Sequence, residues 1–125
     1  MLEDVGIDVL VGKVLESIER HEDEIFFNTE EGERFHMYHS QDCCESVSID
    51  DLCGDLEDLI GSPIIRAEER SSDEDWPKGV ERGEYEPESY TWTFYELATN
   101  KGSVTIRWFG ESNGYYSERV DFERI

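Results

Sequence analysis

Two stretches of this chain follow one pattern: Gly6-Ile7-Asp8-Val9-Leu10-Val11-Gly12 and Asp55-Leu56-Glu57-Asp58-Leu59-Ile60-Gly61. At an offset of 49, apolar residues coincide at 7/56, 10/59 and 11/60, and glycine recurs at 12/61. Further on, Thr29-Glu30-Glu31-Gly32 matches Thr99-Asn100-Lys101-Gly102, and Glu45-Ser46-Val47 matches Glu118-Arg119-Val120. Short patterns repeated in the same order constrain a chain to build two similar units. The expectation is a single domain over 1–125 with repeats at 1–49 and 50–125. The extra residues of the second copy fall in an acidic stretch, 71–89, punctuated by Pro77, Gly79, Gly83 and Pro87, which reads as an inserted loop.

Each unit reads as a helix followed by strands. Leu52, Leu56, Leu59 and Ile60 recur at i, i+4, i+7 and i+8, the spacing of one helical face. Asp50 or Asp51 can cap that helix, Gly61 can end it, and Pro63 blocks its continuation. The spacing therefore predicts a helix over 51–60, and a weaker one from Leu2 to Val11 interrupted by Gly6. Strands are predicted near 13–20, 24–29, 34–39, 46–49, 63–69, 90–98, 103–109 and 115–122. Thr-Glu-Glu-Gly and Thr-Asn-Lys-Gly serve as hairpin turns. The expected class is α+β, mostly antiparallel, with two short helices. The core is expected to include Ile25, Phe27, Phe35, Leu56, Ile60, Phe94, Ile106 and Trp108.

Charge decides which partners are compatible. Thirty-two acidic residues against eleven Lys and Arg give a formal net charge of −21. Such a field repels nucleic acid and anionic membranes and attracts basic protein surfaces. Disorder is the usual fate of acidic chains poor in apolar residues, but 37% hydrophobic and 12% aromatic residues supply a core. The opening Met1-Leu2-Glu3-Asp4 has no basic, apolar leader pattern, and three cysteines make no disulfide framework. A cytoplasmic, reducing setting is expected.

The segments 37–64 (MYHSQDCCESVSIDDLCGDLEDLIGSPI) and 90–122 (YTWTFYELATNKGSVTIRWFGESNGYYSERVDF) resemble a small-protein family of phages and prophages, classed as a domain of unknown function. The Gln-Asp-Cys-Cys-Glu and Ser-Asn-Gly-Tyr-Tyr-Ser-Glu strings carry the likeness. The resemblance implies a viral origin and assigns no activity and no catalytic residue.

Few residues form a chemical constellation. His36, His39, Cys43, Cys44 and Cys53 are the soft metal-ligand types that lie close together, but their spacings match no zinc signature, so no metal and no cofactor is expected. Asp42 and Glu45 flank the cysteines and disfavour a thiolate nucleophile. Adjacent carboxylates carry little information in so acidic a chain. Two candidate surfaces remain. On the expected helix, Asp51, Asp55 and Asp58 fall at i, i+4 and i+7, a carboxylate row able to imitate a nucleic-acid backbone. The equivalent loops 39–45 and 111–117 bring Gln41, Asp42, Glu45, Asn113, Tyr115 and Tyr116, with a tyrosine as anchor.

The expected function is non-enzymatic: an acidic phage protein that binds a host protein with a basic surface, such as a nucleic-acid-handling or defence factor, by charge mimicry. One alternative is a ligand-binding or catalytic accessory domain centred on loops 39–45 and 111–117. The other is an acidic assembly module. Direct nucleic-acid or membrane binding is not expected.

Overall fold

The computed structural model describes residues 3–73, 76–80 and 87–125. Five strands form one sheet, in the order β1 (Glu3–Asp4), β9 (Asp121–Arg124), β4 (Arg34–Tyr38), β3 (Glu24–Thr29) and β2 (Leu15–His21). Four form a second, in the order β5 (Ser46–Cys53), β8 (Gly102–Ser112), β7 (Ser89–Thr99) and β6 (Arg66–Ser72). Every pairing is antiparallel.

The order of elements occurs twice. A single 3-10 turn, Ile7–Leu10, precedes the meander β2-β3-β4, and β5 then crosses to pair with β8 of the other sheet. A second 3-10 turn, Leu56–Leu59, precedes the meander β6-β7-β8, and β9 crosses back to pair with β4. The two turns stand 49 residues apart, at the offset of the sequence match. Because β5 runs on to Cys53, the crossing strand passes the 49/50 boundary expected from the sequence.

The expected α+β class is therefore corrected: among the described residues there is no α-helix, and the protein is all-β. The predicted helix 51–60 fails for two local reasons. A β-bulge between Ile49 and Asp51 shifts the inward phase of β5 by one residue, so Leu52, the first leucine of the expected helical face, follows Val47 and Ile49 on a strand paired with β8. Gly54 then sits at φ +108°, where an added Cβ would lie 2.5 Å from the Ser103 carbonyl oxygen. The chain turns sharply there, and only one 3-10 turn follows. In the expected N-terminal helix, Glu3 and Asp4 instead pair with Arg124 and Glu123, leaving Ile7–Leu10 as the helical turn. Met1 and Leu2 lie outside the described residues. Of the strand expected at 115–122 only Asp121 and Phe122 are in a strand, β9, and part of the 71–89 loop lies outside the described residues.

Alternation explains the core. On β8, Val104, Ile106 and Trp108 are buried, and on β7 so are Tyr95 and Leu97. They join Ile25, Phe27, Phe35, Met37 and Phe122 of the first sheet in one cluster. Each such side chain contributes about 1.5–3 kcal/mol on burial. Of the expected core, Ile25, Phe27, Phe35, Ile106 and Trp108 are inside. Leu56 and Ile60 are half-buried, because a 3-10 turn gives them no continuous apolar stripe. Phe94 falls in the alternate phase of β7, on the sheet's outer side, and is also half-buried.

Candidate functional site

The two candidate loops fall at the crossings between sheets: 39–45 joins β4 to β5, and of 111–117 the first two residues end β8 while the rest lies in the 113–120 crossing to β9. They meet at one place, where His39 Nδ1 lies 2.7 Å from the Arg119 carbonyl oxygen and the Ser40 amide donates to Asp121 at 2.9 Å.

Glu45 organises the first loop. Its carboxylate accepts the backbone N–H groups of Asp42 (3.0 Å) and Cys43 (2.9 Å) and the Gln41 amide (3.0 Å), and it faces His39 Nε2 at 3.0 Å. Burial opposes its ionisation. The N–H donors of Cys43, Glu45 itself and Asp42, with the His39 contact, outweigh that and hold its pKa down to about 2. Gln41 also donates to the Glu45 carbonyl at 2.6 Å. Gln41 and Glu45 thus bind the loop to itself, and the Asp42 residue is exposed. A disulfide joins the neighbours Cys43 and Cys44, which the sequence reading left as separate thiols. Cys53, expected on the apolar side of a helix, is exposed at the end of β5.

Glu118 holds the second loop in the position that matches Glu45. Its carboxylate accepts from Thr91 at 2.8 Å and from the Ser112 hydroxyl. Gly110 admits this loop closely, since a Cβ there would stand 2.8 Å from the Glu118 carbonyl oxygen. Asn113 accepts from the Tyr115 amide at 3.0 Å, and Gly114 turns the chain at φ +92°. At the tip Tyr115 is 90% exposed, whereas Tyr116 is half-buried.

Without a helix, Asp51, Asp55 and Asp58 do not form a row. Asp51 lies on β5, 3.9 Å from Arg107, whose closer partner is Asp50 at 2.6 Å. Asp55 caps the second 3-10 turn by accepting from the Glu57 amide at 3.0 Å. Asp58 packs over Gly102, where an added Cβ would meet its carboxylate at 2.8 Å. Among the described residues no three His, Cys, Asp or Glu side chains converge to hold a metal ion.

Sequence reasoning missed a second aromatic cluster, on the outer face of the second sheet. Trp92 is buried there beneath Trp76, their rings edge to face at 5.1 Å, with Tyr90 and Phe109 completing the group. The signal lay in β7, where Tyr90, Trp92 and Phe94 alternate with the inward Tyr95 and Leu97. An antiparallel strand apolar on both faces needs a cover on its outer side, and the segment carrying Trp76 provides it.

These features define a two-sheet, all-β protein with exchanged crossing strands and loops closed by buried or half-buried carboxylates. Residues 8–122 match the family model described as domain of unknown function DUF7448, and the chain belongs to that family. No curated protein and no solved structure shows significant similarity to the chain. Among the described residues no helix is long and apolar enough to cross a membrane.

Proposed function

We propose that this protein is a phage-encoded binding module that acts in the host cytoplasm by docking onto a basic host protein. The observation that carries this reading is Tyr115, 90% exposed at the tip of a loop that Ser112, Asn113 and Glu118 tie down through hydrogen bonds. A loop tied in this way lowers the entropic cost of presenting an aromatic anchor, and tyrosine is enriched among residues that dominate interfaces. Around it the net charge of −21 supplies long-range attraction for a basic surface. The acidic contribution is distributed over the surface, not concentrated in a helical row. The self-satisfied hydrogen bonding of loop 39–45 favours a protein partner over a small ligand at the two loops.

The test is capture from bacterial lysate at low and high salt, followed by binding kinetics on the recovered partner. Capture of a basic protein, lost at high salt and competed by duplex DNA, supports the reading. Tyr115→Ala should shorten the complex lifetime while leaving association nearly unchanged. Recovery of no basic partner, or unchanged dissociation of Tyr115→Ala, overturns it.

A further inference from the structure

The chain has eleven Lys and Arg, and three of them, Arg70, Lys78 and Arg107, line one cavity of about 410 Å³ on the outer face of the second sheet. Trp76 and Phe94 wall the same cavity, Ser72 adds a hydroxyl, and among the described residues no carboxylate belongs to its lining. Three of the eleven Lys and Arg thus gather at one place in a chain of net charge −21.

The walls are set firmly. Trp76 is held edge-on by Trp92 at 5.1 Å, Tyr90 at 5.1 Å and Phe109 at 5.6 Å, and its indole N–H donates to the Val80 carbonyl at 3.1 Å. The guanidinium of Arg70 lies 4.5 Å from the Phe94 ring centroid, and that of Arg107 lies 5.5 Å from the Trp92 centroid. Carboxylates approach from the flanks: Asp50 engages Arg107 at 2.6 Å, Asp51 stands 3.9 Å from it, and Glu96 stands 3.9 Å from Arg70. Arg107 is therefore largely committed to Asp50. Arg70 has only a long contact to Glu96, and Lys78 is exposed with no ion pair among the described residues.

We propose that this cavity binds a nucleoside phosphate, with the base against Trp76 and the phosphate on Arg70 and Lys78. Three observations converge on that class. The flat indole of Trp76 in the wall matches a flat ring. Two available cations beside them match a phosphate, which charge-assisted hydrogen bonds favour. The volume falls in the range of ligand pockets, roughly 300–1,000 Å³, and accommodates one nucleotide. The whole chain repels anions, so affinity has to come from these local contacts and not from long-range attraction.

Isothermal titration of the full chain with AMP and UMP tests this, with adenosine and inorganic phosphate as separate probes. Saturable binding of a nucleotide, tighter than that of adenosine or phosphate alone, is the expected result. Arg70→Ala and Lys78→Ala each remove an exposed cation and should weaken it about tenfold, the equivalent of one charge-assisted hydrogen bond. Trp76→Leu should abolish the preference for nucleotide over inorganic phosphate, with circular dichroism showing that the sheets persist. No saturable binding of either nucleotide at millimolar concentration overturns the proposal. So does inorganic phosphate binding as tightly as the nucleotides, or unchanged affinity in both charge variants.

Discussion

Gly12 and Gly61 make reciprocal contacts between the two halves of the chain. The Gly12 amide donates to the Ile64 carbonyl at 2.8 Å, and the Gly61 amide donates to the Leu15 carbonyl at 2.9 Å. Both glycines are left-handed, at φ +87° and +84°, and both follow a 3-10 turn by two residues. Since 15 and 64 share the offset of 12 and 61, one contact is repeated by the other after exchange of the halves. Gly12→Ala and Gly61→Ala should each cost about 1–2 kcal/mol, the steric cost of a Cβ in this region. Asparagine at either position should cost less. Urea denaturation measures both, and a loss below a few tenths of a kcal/mol in both alanine variants would contradict the reading.

Exchange of the crossing strands makes each half depend on the other. β5 completes the sheet of β6-β7-β8, and β9 completes that of β2-β3-β4. Fragments 1–54 and 55–125 expressed separately should lack the dispersed amide spectrum of a packed core. Mixed in equal amounts, they should recover it. A fragment with a cooperative thermal transition of its own would refute this dependence.

The buried carboxylate of Glu45 should make loop 39–45 sensitive to acid. Its pKa of about 2 lies below the ordinary glutamate value near 4.3. The stabilisation is therefore present above that ordinary value and is lost as pH falls from about 4 towards 2. Amide exchange of Asp42 and Cys43 should accelerate over that window relative to the β7–β8 hairpin. Glu45→Ala should show the faster exchange already at neutral pH.

Added salt should raise the melting temperature. Screening weakens repulsion among surplus carboxylates beyond roughly 10 Å at 0.1 M. It also weakens surface pairs such as Arg66 with Glu68 and Glu96, but exposed pairs contribute only about 0–1 kcal/mol each. With 32 acids against eleven Lys and Arg, the repulsive part dominates. A melting temperature flat from low to high salt would mean that the carboxylates are locally compensated.

Cys43 and Cys44 should matter little to stability. A link between neighbours closes almost no chain, so it removes little entropy from the unfolded state. The Cys43→Ser, Cys44→Ser double variant should lose less than about 1 kcal/mol. Thiol titration of the unreduced native protein should find one reactive group, Cys53, and three after reduction.

Much of the strand placement along the chain was legible because strands write themselves locally. Alternation in 24–29, 34–38 and 102–112 is a period-two pattern that needs no distant information. The offset of 49 and the pairing of Glu45 with Glu118 were likewise visible in the residues. The helix at 51–60 was misread because a bulge at Asp50 and a glycine turn at Gly54 displace leucines by the spacing that a helix also produces. Only pairing of β5 with β8 decides between the two, and that partner lies more than fifty residues away.

What the sequence alone determined is therefore the charge, the alternation and the recurrence of one pattern. The tertiary structure decided which sheet each crossing strand joins, and so where the two loops meet. It also decided that Glu45 faces inward onto its own loop while Tyr115 faces solvent. The cationic cavity belongs to the same category, since Arg70, Trp76, Phe94 and Arg107 converge only after β6, β7 and β8 pair. Local preference is carried by neighbouring residues, whereas a site is a relation among distant ones, fixed when sheet pairing and burial select a single register.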